Sequence, residues 1–373
     1  MTRAEEEAYR ARVRGCLLGG AIGDALGGPV EFQDARTILA AHPDGVRSYV
    51  AGGNNWPPGT VTDDTQMTLF TVEGLIRAGV RTDRGLGLTV AVTHSAYDRW
   101  LDTQLLPGPS GHRNGWLAGE PWLYARRAPG NTCLSALTEA RKGGDQIPQY
   151  GGQAANDSKG CGGVMRAAPF GLLPATWVDA AWAFDAAAES AGYTHGHPTG
   201  KLASGVLAAV VHAICQGADL DAALDATAAL LRTHDGHEET STALAAAREL
   251  AASGAEPGVE AVERLGGGWI AEEALAIGVY AALAYPEPER FLDALALAVT
   301  HSGDSDSTGS ICGNILGALH GETALPPALV FGVEGRGVIL QLADDLVLET
   351  LHHRQLHGDY GPHTGWDHRY PGG

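Results

Sequence analysis

The sequence predicts an all-α fold. Three observations carry that expectation. Apolar residues recur at three- and four-residue spacing through a series of Ala-rich segments, alternating strand-like runs are scarce, and the linkers are short and polar or Gly-containing. No internal repeat or low-complexity linker divides the 373 residues. The expectation is therefore a single compact domain of orthogonally packed helices over residues 1–373.

Taken in order, Glu5 to Gly28 reads as one or two helices. Gly19, Gly23 and Gly27 recur there on one face, a pattern that lets another helix approach closely. Each glycine costs about 1 kcal/mol relative to Ala, so close packing must compensate. Arg14 and Asp24 interrupt the apolar run, so this is not a membrane dimerisation stripe, and Asp24 needs a partner if buried. Asp34 to Gly59 reads as loop, dense in turn formers from Gly52 onward. A helix follows from Thr62 to about Ala78, burying Met67, Phe70, Leu75 and Ile76, with Gly79 as its stop. The next helix covers about Leu88 to Leu101. Leu106 to Asn131 is a long surface excursion, of a kind that often carries function, and Thr132 to Lys142 is a short helix. A glycine-rich loop, Asn156 to Arg166, runs into apolar sequence. Helices then span about Trp177–Ala191, Gly200–Gln216, Leu220–Leu231, Thr240–Ala252, Pro257–Leu265, Ala271–Ala284, Glu289–Thr300, Ser307–Leu319 and Gly335–Leu356. The tail from Gly358 is expected to pack irregularly.

Charge narrows the function classes. There are 44 acidic against 25 basic residues, a formal net charge of -19, and no Lys/Arg run. That disfavours a nucleic-acid partner and an anionic membrane surface, and suits a requirement for cations. Five cysteines without a CxxC pair fit a reducing compartment. The acidic, helical N-terminus is not a targeting peptide, and no apolar run approaches the ~20 residues that span a bilayer. A cytoplasmic location is expected.

Two acidic clusters organise the chain. Thr62-Asp63-Asp64-Thr65 joins a hydroxyl and two adjacent carboxylates at the first turn of a helix. Far downstream lies Ser302-Gly303-Asp304-Ser305-Asp306-Ser307-Thr308. Each has a plain reading as a capped helix start, where the dipole favours negative charge. Two such clusters together point instead to folding that joins them around a pair of hard cations, because packed carboxylates repel until a cation or a proton intervenes. Oxygen-only donors select Mg²⁺, Ca²⁺ or Mn²⁺ over zinc. An EF-hand is excluded, because the twelfth loop position is Ile315 where that loop needs Glu. His353 and His357 lack the Glu of a His-Glu-x-x-His motif and read as surface histidines of a helix. Thr194-His195-Gly196-His197-Pro198 reads as a turn between helices. The loop around Gly162 is not a P-loop, though its backbone N–H groups can hold an anion, and no base near Cys161 in sequence marks it as a nucleophile.

Four motifs in order resemble the ADP-ribosylglycohydrolase family. They are Gly19 to Gly27 with Glu31-Phe32, Thr62-Asp63-Asp64-Thr65, Gly162-Gly163-Val164-Met165-Arg166, and Ser302 to Ser307. The resemblance implies an all-α fold with a dinuclear metal cleft holding two Mg²⁺ ions, with Mn²⁺ as a substitute. It implies Thr62, Asp63, Asp64, Asp304, Asp306 and Ser307 as metal ligands. Glu31, Asp63 and Asp304 are the implied catalytic carboxylates, with Glu31 over the metals. Ser158, Lys159, Gly162, Gly163 and Met165 would face the diphosphate or acceptor, and His195 the distal ribose. Cys161 stands where members often carry Asn. The implied substrate is an ADP-ribosylated protein or other ADP-ribose conjugate, with arginine favoured as acceptor. Two other readings stay open at this level: a non-catalytic ADP-ribose- or toxin-binding protein, and a metal-dependent nucleotide phosphohydrolase.

Overall fold

A computed structural model of the chain describes residues 2–110, 115–142, 152–357 and 365–371. Among them are seventeen α-helices and several 3₁₀ turns, and the only β pairing is one isolated bridge between Gly160 and Ile270. The fold class is all-α.

The N-terminal helix, Arg3–Gly27, starts at a reciprocal cap. Glu5 N–H donates to Thr2 Oγ1 at 3.3 Å and Thr2 N–H donates to Glu5 Oε2 at 2.6 Å. Its glycine stripe meets a second glycine stripe on the Ser305–His320 helix. A Cβ built on Gly15, Gly19, Gly23 or Gly27 would lie 2.0–2.3 Å from the backbone oxygen of Gly317, Gly313, Gly309 or Ser305, respectively. The partner number falls as the first rises, so the two helices run antiparallel. Any side chain would separate them, which is why glycine is required along this seam. Close backbone approach returns dispersion and Cα–H···O contacts against the propensity cost. The seam also brings the end of the first helix to the start of the last acidic one.

Asp24 is fully buried on that face. It accepts from Thr62 N–H at 2.9 Å, from Thr65 N–H at 3.0 Å, and from the Thr65 hydroxyl. It thus caps the Asp63–Asp83 helix from another element, while Thr62 Oγ1 accepts from Asp64 N–H at 3.3 Å.

Several boundaries differ from expectation for tertiary reasons. The Asp63–Asp83 helix continues through Gly79, whose added Cβ would sit 2.8 Å from Glu349 Oε1; this glycine admits a neighbour and does not end the helix. The Asp34–Gly59 segment contains a helix, Ala35–Ala41, capped by Asp34 through Thr37 N–H at 2.7 Å. Within the expected excursion, Leu117 and Leu123 are buried on short 3₁₀ turns, while residues 111–114 lie outside the described set. Of the tail, 358–364 lie outside it too, and Gly365–Arg369 forms a helix that buries Trp366 and Tyr370. The surface reading of His353 and His357 is overturned. His357 is 2% exposed, with Nε2 3.1 Å from Glu349 and Nδ1 3.6 Å from Asp83, and His353 pairs with Asp83. The Pro198–Cys215 helix has the length and apolarity of a membrane span, yet 78% of it is buried inside the protein.

Candidate metal-binding active site

Seven segments meet at a cleft of about 200 Å³. The turn after the N-terminal helix carries Glu31. The start of the Asp63–Asp83 helix carries Asp63 and Asp64, and the start of Ser305–His320 carries Asp304, Asp306 and Ser307. The remaining wall comes from Ala128 to Cys133, from Gly160 to Met165, from His195 and from Trp269. A larger hollow of about 510 Å³ lies beside Arg47, Tyr285 and Asp293, but its acids share the wall with that arginine. Here the donor set, not volume, marks the site.

The glycine seam sets the geometry. Gly27 packs on Ser305 and Asp306, so Glu31, four residues on, faces the second acidic cluster. Ligand atoms of Glu31, Asp304 and Asp306 all lie within 4.8 Å of one another. Asp304 caps its helix through Ser307 N–H at 3.2 Å, and its own N–H donates to Gly267 O at 2.9 Å. Asp63 Oδ2 accepts from Gly130 N–H at 3.4 Å, beside Ala128, whose φ of +52° places a non-glycine residue in the left-handed region.

These carboxylates are 3–7% exposed, and neither Lys nor Arg lines the cleft among the described residues. Burial first, and then the negative charges of Asp306, Asp304, Asp63 and Asp24, push Glu31 up to about 11. Burial followed by the Asp306 charge holds Asp63, Asp64 and Asp304 well above the usual carboxylate range, and lifts Asp24 to about 7. Glu31 Oε2 and Asp64 Oδ2 are buried with no hydrogen-bond partner among the described residues. Uncompensated buried acids of this kind call for a cation. An all-oxygen set from two carboxylate pairs and Glu31 fits a hard divalent ion.

The other expected residues divide. Gly162, Met165 and His195 line the cleft, whereas Gly163 packs behind it against Ala191 and Ser204. Ser158 is one step back, its hydroxyl 3.3 Å from that of Thr132, which does line the wall. Lys159 Nζ is held by Glu239 at 2.7 Å and Glu272 at 2.6 Å, away from the cleft lining. Thr62 is buried at the helix start without lining the cleft. His195 is kept neutral: burial, then the nearby Arg166 charge, lowers it to about 3. Cys161 Sγ–H donates to Asp304 Oδ2 at 2.7 Å, and burial with that carboxylate pushes the thiol well up, so it stays protonated. Arg166 lies behind the wall, donating to Thr194 Oγ1 at 2.7 Å and stacking on Tyr97.

Sequence reasoning did not select Trp269, Thr132 or Gly130. The signal for Trp269 was its position after three glycines, Gly266 to Gly268, two of them at positive φ. That of Gly130 was only its place in the functional-looking excursion.

Against this geometry, the ADP-ribosylglycohydrolase family model matches residues 5–355. The chain belongs to the ADP-ribosylglycohydrolase family. Its class is that of glycosidase-type hydrolases acting on ADP-ribose conjugates, a metal-dependent group, and the acidic clusters above are the metal-binding candidates of this member. The ADP-ribosyl-[dinitrogen reductase] glycohydrolase of Rhodospirillum rubrum is 26% identical over 327 residues, covering 84% of this chain and 87% of that protein. ADP-ribosylarginine hydrolase Tri1 of Pseudomonas putida is 25% identical, covering 90% of this chain and 77% of its own length. A solved structure described as an ADP-ribosylglycohydrolase-related protein complex superposes with a TM-score of 0.65 at 25% identity, covering 92% of this chain and 100% of that one.

Proposed function

We propose that this family member is a Mg²⁺-dependent hydrolase that cleaves the bond between ADP-ribose and its acceptor, arginine favoured, releasing free ADP-ribose. The observation that carries the reading is the meeting of five carboxylates from distant parts of the chain in one cleft, with two carboxylate oxygens left unpartnered. Two relatives named for ADP-ribose removal, one of them from arginine, support the substrate class.

In this reading Thr62, Asp63, Asp64, Asp304, Asp306 and Ser307 hold two Mg²⁺ ions, with Mn²⁺ as a substitute. The bound ions supply Lewis acidity that orients ribose hydroxyls and favours ionisation of a water nucleophile. The chain's own residues do the rest. Glu31 stands beside Asp304 and Asp306 to guide a proton, and the surrounding negative field stabilises oxocarbenium character at the anomeric carbon. Backbone N–H groups at Gly162 and Gly163 are the ones offered to the diphosphate, those of Gly160 and Cys161 being taken by Ser158 Oγ and Trp269 O. His195 Nδ1 lies 2.8 Å from Thr194 Oγ1, an oxygen that already accepts from Arg166 and donates to Ala191 O. The consistent tautomer is Nδ1–H, which leaves neutral Nε2 to accept from a ribose hydroxyl. Its five free cysteines suit the cytoplasm, where we place it as one catalytic unit.

The test is release of ADP-ribose from an arginine-modified protein, with and without chelator. Loss on chelation and restoration by Mg²⁺ are expected. Absence of ADP-ribose, or inorganic phosphate in its place, refutes the reading.

A further inference from the structure

Phe32 and Trp269 are large apolar side chains left in solvent, 77% and 45% exposed. They stack on each other, centroids 5.7 Å apart with planes at 24°. Trp269 lines the cleft and Phe32 does not, so Phe32 backs the indole while the indole contributes to the cleft wall. Both are tied to the carboxylate end. Phe32 directly follows Glu31. The loop before Trp269 gives its Gly267 carbonyl to Asp304 N–H at 2.9 Å, and Trp269 O accepts from Cys161 N–H at 3.2 Å. Gly267 and Gly268 N–H are fixed in turn by Glu273 Oε2 at 2.9 and 3.2 Å. His195 packs on Gly160 and Gly162, and Gly160 pairs with Ile270, the residue after Trp269.

We propose that the Trp269–Phe32 pair is the acceptor-side wall of the cleft and stacks a planar cation, the guanidinium of the modified arginine. The inference rests on the hydrolase reading above and adds its specificity determinant. An aromatic face attracts a planar cation through its quadrupole, most strongly for Trp. Neither Lys nor Arg is among the lining residues, so no fixed cation repels a cationic acceptor beside the indole. Phe32 keeps the indole from turning away into solvent.

The experiment measures kcat/KM on arginine-linked and serine-linked ADP-ribose peptides. Trp269→Ala should lower the arginine-to-serine preference about tenfold, the scale of one cation–π contact, mainly through KM for the arginine substrate. Phe32→Ala should act in the same direction by a smaller factor, and Trp269→Phe should recover most of the preference. A second readout needs no turnover: agmatine titrated onto the Mg²⁺- and ADP-ribose-loaded protein should bind the wild type and not Trp269→Ala. An equal loss on both substrates overturns the proposal, because the pair then serves the ADP-ribose body or the fold. So does an unchanged preference, or agmatine binding that ignores the substitution. If the wild type cleaves neither peptide, the hydrolase reading fails on its own, and the agmatine titration still decides the guanidinium site.

Discussion

Two acidic clusters, one half-buried at Asp83 and one buried, sit at different parts of this protein and meet opposite fates. At the far end of the Asp63–Asp83 helix, Asp83 and Glu349 face His353 and His357, and Glu349 also accepts from Trp366 Nε1–H at 2.8 Å. Each carboxylate there has nitrogen donors from the chain itself. At the near end, Glu31, Asp63, Asp64, Asp304 and Asp306 share one cleft, and among the described residues neither Lys nor Arg lines it. In the first cluster the carboxylates pair with ring nitrogens, and in the second Glu31 Oε2 and Asp64 Oδ2 have no hydrogen-bond partner among the described residues. One helix thus anchors a structural network at its end and a functional site at its start.

The contrast is broken first by activity. Asp304→Asn with Asp306→Asn should lower turnover at least on the order of 10³-fold, the scale of losing a main electrostatic stabiliser, without lowering metal-free stability, because asparagine keeps the helix cap that Asp304 makes. A clear fall in metal-free stability would mean that the near cluster is structural too. Next, His357→Ala should cost about 1–3 kcal/mol in denaturant unfolding, because Glu349 keeps only Trp366 Nε1–H as a partner among the described residues, while turnover per folded molecule holds. Third, Mg²⁺ at a hundredfold excess over its Kd should stabilise the wild type by about 2.7 kcal/mol per bound ion, with no such gain in the double Asp variant.

Titration of metal-free stability sharpens the same comparison. Glu31 rises from an ordinary 4.5 to about 11 in the folded chain. A carboxyl raised on folding contributes stability that is complete below its unfolded value and is lost as pH climbs toward the folded one. Asp63, Asp64 and Asp304 shift in the same direction. Metal-free protein should therefore weaken progressively as pH climbs from 4.5 toward about 11, and saturating Mg²⁺ should shrink that loss, as followed by unfolding at fixed denaturant. A last test concerns the seam that builds the site. Gly23→Ala, whose new Cβ would meet Gly309 O at 2.0 Å, should force two backbones apart, cost about 3 kcal/mol or more, and weaken Mg²⁺ binding as well.

Much of the helical framework was legible. The Leu220–Leu231 and Ala271–Ala284 helices match their expected bounds, because periodicity and caps act within a few residues. The acidic starts at Asp63 and Asp304 were visible for the same reason. Gly79 was misread as a stop because its purpose is contact with Glu349, which no local pattern signals. His357 was misread as surface because helical spacing says nothing of what packs over it. Lys159 was taken as free to meet a ligand, while its two carboxylate partners lie on separate helices.

What the chain's own order determined is therefore a set of amphipathic helices, two carboxylate-rich helix starts and a glycine stripe awaiting a mate. Only the folded molecule decided that the mate is the Ser305–His320 helix running the other way, so that Glu31 meets Asp304 and that Trp269 stands at the cleft wall. The physical reason is distance: capping and periodicity are written among neighbours, whereas burial, close backbone approach and charge repulsion depend on residues hundreds of positions apart.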